Sequence, residues 1–222
     1  MTTDEADKLI RGAHELGIAL DDTTAQKLIL YLNELESANK RFNITRISRA
    51  DALSLHLLDS LTALCIPLEK APTSILDIGT GGGFPGVPLA ALIPTARVTL
   101  LDSTLKKVNF AHDSAQLCGI HNTQPVHERA EAYAKLPSAK GSFDLVVSRA
   151  VAECKTLFKW MLPFVRSGGT AIALKGSNVE DELRGTAAIL EKNSADIANI
   201  HRVTLPNTDI ERFLVVLKKT SS

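Results

Sequence analysis

Leu76-Asp77-Ile78-Gly79-Thr80-Gly81-Gly82-Gly83-Phe84-Pro85-Gly86 sets five glycines directly behind a short apolar run. Ser74 to Ile78 reads as a buried parallel strand. A helix is expected from Val87 to Leu92, with Pro85 and Pro88 near its first turn, where a missing N–H is tolerated. A strand, a glycine turn and a helix in that order place the loop beyond the carboxyl end of a strand, where open α/β sheets bind ligands. Three readings compete at this point. Gly81 to Gly86 formally fits the dinucleotide pattern G-x-G-x-x-G, the loop also suits S-adenosylmethionine, and it can be a glycine-rich connection alone. Asp102, at the end of the next strand, can accept from both hydroxyls of a ribose and serves either cofactor. Asp77 separates them. A carboxylate at the strand end would repel a pyrophosphate, whereas S-adenosylmethionine carries a positive sulfonium and amino group. No Gly-Lys-Ser/Thr follows, which disfavours a nucleoside triphosphate loop.

Working outward, residues 3–17 and 22–40 read as helices. The second carries an apolar stripe of Ala25, Leu28, Ile29, Leu32 and Leu35 behind capping Asp21 and Asp22. Phe42-Asn43-Ile44-Thr45 breaks the pattern, with Asn43 fixing the turn. A third helix is expected from about Arg49 to Leu64. Strands follow at 97–101, 123–127, 143–148 and 170–174, alternating with helices at 104–118, 155–164 and 179–192. Pro125 puts the 123–127 strand at a sheet edge. Strands 202–205 and 213–218 have no helix between them and are expected to be antiparallel. The pattern predicts an α/β fold, a mostly parallel sheet with helices on both faces. The expected units are a helical N-terminal segment, 1–70, and the sheet domain, 71–222, packed as one.

The 222 residues carry 25 basic and 25 acidic side chains, hence no net charge, with a mean hydropathy of +0.06. Zero net charge argues against a protein that coats nucleic acid non-specifically. The charge is uneven, however. Residues 1–39 hold eight acids and three bases, and residues 40–49 hold four bases and no acid. That basic stretch is either a solvated helix end or a patch facing phosphate. Cys65, Cys118 and Cys154 fit no metal spacing and read as reduced thiols. The acidic N-terminus is no signal peptide, and no apolar run is long enough to span a membrane.

Several motifs together resemble one family. They are Asn43-Ile44-Thr45, His56 with Leu58-Asp59-Ser60, the Asp77–Gly86 loop, Leu101-Asp102-Ser103, Arg129-Ala130-Glu131, Ser148-Arg149-Ala150 and Leu174-Lys175-Gly176. As a set they are similar to the RsmG (GidB) family, which methylates N7 of a guanosine in bacterial small-subunit (16S) ribosomal RNA, and the resemblance covers about residues 25–218. The resemblance implies a Rossmann-like class I methyltransferase fold of seven strands, S-adenosylmethionine as cofactor, the small ribosomal subunit as partner and a cytoplasmic protein. It implies cofactor contacts at Gly79, Phe84, Asp102, Ala130, Glu131 and Arg149. Gly82 departs from it, since proline is common there.

The residues have their own chemistry. Asp77 and Gly81 join the cofactor set from the loop itself. Phe84 can cover the cofactor or pack helix on sheet. Glu131 can accept from adenine or ribose, or simply start a helix. Arg149, closing its strand, can pair with a cofactor carboxylate or an RNA phosphate. Guanine N7 has a free lone pair, so its methylation needs no prior proton removal and alignment carries the reaction. No catalytic base is identified; Arg149 and Lys175 are the candidates near the reacting groups. RNA contacts are expected at Arg41, Arg46, Arg49, Lys106, Lys107, Lys175 and Arg212. His56 reads as structural, as does Cys154. No metal or membrane is expected, and a monomer is. The competing functions are a methyltransferase for a small molecule or protein, a non-catalytic ribosome assembly or RNA-binding factor, and an NAD-dependent oxidoreductase.

Overall fold

A computed structural model describes residues 2–220; positions 1 and 221–222, outermost in the two expected units, lie outside the described residues. Helices α1 (Thr2–Glu15) and α2 (Asp22–Phe42) open the chain. Asp21 caps α2, its carboxylate accepting from Thr24 N at 2.8 Å, and Asn43 ends it in the left-handed region at φ 48°. Both roles follow from short polar side chains that bond nearby backbone. The expected 49–64 helix is instead a composite: a π-helical turn Leu53–Leu58, then α3 (Asp59–Leu61), then a 3-10 turn Thr62–Cys65. Arg49 lies ahead of it in a turn.

The sheet domain follows as β1 (Ser74–Ile78), α4 (Gly86–Leu92), β2 (Arg97–Asp102), α5 (Leu105–Leu117), β3 (Thr123–His127), α6 (Ala130–Tyr133), β4 (Phe143–Arg149), α7 (Cys154–Met161), β5 (Val165–Lys175), α8 (Val179–Leu183), α9 (Ala187–Lys192), β6 (Ala195–Thr204) and β7 (Glu211–Lys219). The order across the seven-stranded sheet is β3-β2-β1-β4-β5-β7-β6. The first five strands are parallel, and β7 runs antiparallel to both neighbours. Pro125 lies on the edge strand β3, where its missing N–H is harmless. The helix expected over 179–192 is two, because Gly185 between them takes φ +78°. Strand β6 begins seven residues earlier than the expected 202. It is a half-exposed edge, so its side chains lack the apolar alternation by which a strand is read.

Two apolar clusters sandwich the sheet. One joins Leu28, Ile29, Leu32 and Leu57 of the helical segment to Ile75, Leu100, Leu145, Val147, Ile172 and Leu174. The other packs α7 and α9 against Leu76, Ile78, Leu101, Val146, Ala171 and Ala173. Successive strand residues therefore alternate between the faces. The strand order reverses between β1 and β4, so a crevice opens beyond their carboxyl ends.

Tyr31 of α2, fully buried, donates to Gly82 O at 2.8 Å and ties the helical segment to the glycine loop. A Cβ on Gly83, at φ +90°, would run into the Tyr31 hydroxyl and meet Val87 Cγ2 at 2.8 Å. Gly83→Ala is expected to cost about 2 kcal/mol or more in urea unfolding, from left-handed strain and overpacking. Tyr31→Phe should cost about 1 kcal/mol by itself. The double variant should lose less than the sum; strict additivity would mean that Tyr31 does not hold this loop.

Candidate active site at the glycine loop

The crevice is a cleft of about 370 Å³ lined by Gly79, Gly81, Asp102, Ala130, Glu131 and Arg149, with Trp160 and Lys107 at its walls. Its volume lies in the usual range of ligand pockets, about 300–1,000 Å³. Gly79 and Gly81 adopt φ +70° and +55°. Gly79 N and Thr80 N both donate to Leu101 O, at 2.8 and 3.0 Å, so the loop folds back over the end of β2. A Cβ on Gly79 would press Val151 Cγ2 at 2.6 Å, which closes that position to larger residues. Ala150 beside it takes φ +53°, a strained conformation for a non-glycine residue at the cleft wall.

Asp102 is held by backbone on both oxygens: Oδ2 accepts from Gly81 N at 3.0 Å and Oδ1 from Thr104 N at 2.8 Å. A carboxylate oxygen has two lone pairs, so each keeps one for the cleft. Two fixed, adjacent acceptors match the two hydroxyls of a ribose, and the residues present thus fit the nucleoside part of S-adenosylmethionine. Glu131, also in the cleft lining, accepts from Trp160 Nε1 through its Oε1 at 2.7 Å, which orients both.

Strand parity decides where the other expected residues point. Leu76 and Ile78 face the α7 side, so Asp77 faces α4 and the helical segment. Asp77 is 0% exposed and does not line the cleft. Its Oδ2 accepts from Thr80 Oγ1 at 2.7 Å and from Gly86 N at 2.8 Å, clamping the loop from behind. Among the described residues Oδ1 has no hydrogen-bond partner. Phe84 is likewise not brought to the cleft: it is buried, stacks on His56 at 4.3 Å and meets Tyr31 edge-on at 5.7 Å.

Arg149 shares parity with Leu145 and Val147 and reaches the helical segment from the cleft wall. Its Nη1 donates to Leu55 O at 2.8 Å and Asp59 Oδ2 at 3.1 Å, and its Nη2 to His56 Nδ1 at 3.0 Å. A guanidinium only donates, so His56 Nδ1 is the acceptor and its Nε2–H donates to Thr45 Oγ1 at 3.0 Å. Arg212 Nε donates to the other Asp59 oxygen at 2.8 Å. Lys175, of opposite parity, is buried between Ala152 O at 2.8 Å and the Glu182 carboxylate. Arg49 is held by Glu5 and Asn33 at 2.8 and 3.0 Å. Arg41, Arg46 and Lys106 are exposed, and Lys107 lines the cleft. Burial pushes the Cys154 thiol up to about 12, so it holds no thiolate for nucleophilic work at neutral pH.

Reading the sequence did not single out Tyr31 or Trp160, and it quoted Asp59 only as part of a motif, with no partner. Tyr31 falls on the buried stripe of α2, three residues after Leu28, and that spacing was its available signal. Asp59 lies 90 residues from Arg149 and 153 from Arg212, and no local pattern reports such a pairing.

Two buried groups give opposing pH trends. Burial raises Asp77 from 3.8 to about 6 against the hydrogen bonds from Thr80 and Gly86. Its folded pKa is raised, so its contribution is fully present below about pH 4 and is lost as pH rises towards 6. Burial, then the Arg149 charge, lowers His56 from 6.5 to about 3. Stability from neutral His56 is complete above pH 6.5 and declines as pH falls towards 3. Between pH 6 and 4 the two effects offset. Asp77→Asn removes the first, so its stability should fall more steeply on acidification than wild type, by up to roughly 3 kcal/mol over that interval. Urea unfolding at stepped pH measures this, and parallel curves would reject the opposition.

The model of the family described as "GidB: rRNA small subunit methyltransferase G" matches residues 24–210. A ribosomal RNA small subunit methyltransferase G of Clostridium botulinum (strain Alaska E43 / Type E3) is 35% identical over 214 residues, covering 96% of this chain and 90% of the relative. One from Thermoanaerobacter sp. (strain X514) is 35% identical over 220 residues, 99% of this chain and 92% of the relative. Among solved structures, the O-methyltransferase TomG of Streptomyces achromogenes in complex with SAM superposes with TM-score 0.57 at 19% identity, covering 86% of this chain and 90% of that one. A SAM-dependent methyltransferase from Aquifex aeolicus does so with TM-score 0.56 at 14% identity, over 84% and 97% of the two chains. The fold is therefore the class I methyltransferase fold, and the chain belongs to the rRNA small subunit methyltransferase G (GidB) family.

Proposed function

We propose that this chain transfers a methyl group from S-adenosylmethionine to N7 of a guanosine in bacterial 16S ribosomal RNA. The observation that carries the reading is Asp102, fixed by Gly81 N and Thr104 N at the mouth of a glycine-walled cleft in a chain of this family. When bound, S-adenosylmethionine supplies an electrophilic methyl group on its sulfonium. Asp102 would accept from the ribose hydroxyls. Gly79 and Gly81, with no side chains, would let the backbone approach the methionine portion, and Ala130 and Glu131, which also line the cleft, would hold the adenine. Arg149 uses three N–H groups on Leu55, Asp59 and His56. A guanidinium has five, so two remain for a carboxylate at the cleft.

Guanine N7 presents its lone pair directly. Transfer would form the N–C bond as the S–C bond breaks, the electron pair staying on sulfur. These side chains have no proton to remove before attack, so their contribution is alignment and exclusion of water. For RNA phosphates we assign Arg41, Arg46, Lys106 and Lys107. Arg49, Lys175 and Arg212 are committed to Glu5, Glu182 and Asp59 and act as positioning residues.

The test is methyl transfer from labelled S-adenosylmethionine to small ribosomal subunits, or their RNA, from a strain lacking this protein. Digestion and mass analysis should return 7-methylguanosine from one site. No transfer to either form, despite cofactor binding by calorimetry, would overturn the RNA substrate. Asp102→Ala removes two charge-assisted acceptors and should weaken S-adenosylmethionine by about tenfold or more. Unchanged affinity would remove Asp102 from the site.

A further inference from the structure

Helix α2 carries a stripe of Tyr31, Leu35 and Ala38 at four- and three-residue spacing, all three buried. The next position on that stripe is Phe42, eleven residues and about three turns beyond Tyr31. Phe42 should be core by pattern, yet it keeps 49% of its surface exposed. Two cations stand over it: Arg41 Cζ lies 5.3 Å from the ring centroid and Lys106 Nζ 5.7 Å. Lys106 belongs to the first turn of α5, and the next residue, Lys107, lines the cofactor cleft. Consecutive Cα atoms are about 3.8 Å apart, so one of the two cations over the Phe42 ring is rooted one residue from the cleft lining. The same turn is tied to the cofactor side by Thr104 N on Asp102.

We propose that Phe42, flanked by Arg41 and Lys106, is a stacking platform for an unpaired nucleobase beside the one that is methylated. This rests on the reading of RNA as substrate. A half-exposed aromatic ring with two cations held over it matches single-stranded nucleic acid, in which each base offers a π face and each linkage an anion. The ring takes the base, and Arg41 and Lys106 turn from the ring to the phosphates on either side. The platform carries no hydrogen-bond code of its own. It holds an extruded strand so that the neighbouring guanine reaches into the cleft.

The experiment is steady-state methyl transfer to 16S rRNA and to small subunits from a strain lacking this protein, using wild type, Phe42→Ala, Phe42→Leu and Phe42→Trp. Calorimetry gives the affinity for S-adenosylmethionine, and thermal unfolding monitors the fold. Phe42→Ala and Phe42→Leu should raise KM for RNA by roughly tenfold or more, with kcat, cofactor affinity and Tm little changed, whereas Phe42→Trp should retain the wild-type KM. Phe42→Leu matching wild type would overturn stacking and reassign the residue to an apolar contact with a protein. Phe42→Ala matching wild type would remove any role in binding. Failure of wild type to methylate either RNA form would overturn the substrate reading and this inference with it. Wild-type transfer with a flat variant series overturns the platform alone.

Discussion

One buried carboxylate ties the helical segment to the sheet. Asp59 is 2% exposed and accepts from Arg149 at the end of β4 and from Arg212 at the start of β7. Burying such charges is costly, and an apolar replacement of the whole set can be as stable. What the arrangement contributes is direction. The π-helical turn and the start of α3 together present Leu55 O, His56 Nδ1 and Asp59 to a guanidinium that itself grows from a cleft-lining strand end. Removing Asp59 alone would leave two arginines facing each other in a poorly solvated space, and breaking buried pairs typically costs about 3–5 kcal/mol.

From that anchor the constraints run to the cofactor loop. Arg149 fixes the neutral tautomer of His56, the imidazole stacks on Phe84, and Phe84 belongs to the glycine loop. Tyr31 grips the same loop at Gly82 O, and Asp77 joins its two ends through Thr80 and Gly86. Asp102 then meets Gly81 N from the open side. The two strand-end carboxylates divide the work by parity and depth. Asp77 is sealed beneath the loop and shapes it, and Asp102 stays at the cleft and keeps lone pairs for a ligand. Because the clamp includes residues of the N-terminal helices, the cleft and the helical segment form one mechanical unit.

The alternation of strands and helices, the glycine loop and the acid after β2 were legible because each is a local signal. The register of side chains at the strand ends was legible in principle and was not used. Counting forward by twos from Leu145 and Val147 puts Arg149 on the helical side, and from Ala171 and Ala173 it puts Lys175 on the other. That count separates Arg149, which still borders the cleft, from Lys175, which Glu182 takes. Asp77 and Phe84 looked like ligand groups because motif position does not report depth. The 49–64 segment misread as one regular helix because leucines recur alike in α, π and 3-10 turns.

Zero net charge hid a sorting of charges that the fold performs. Three of the seven cations expected at RNA are spent on acids within the chain: Arg49 on Glu5, Arg212 on Asp59 and Lys175 on Glu182. The four that remain, Arg41, Arg46, Lys106 and Lys107, come from the end of α2, the turn after it and the start of α5. These are the elements that the Tyr31 stripe and the Asp102–Thr104 bond hold against the glycine loop. Pairing of one set of cations with internal acids thus leaves the other set exposed, as Arg41, Arg46 and Lys106 are, or lining the cleft, as Lys107 does. A chain with no excess charge can in this way offer a local basic rim, and such a rim favours a strand entering one cleft over indiscriminate coating of nucleic acid.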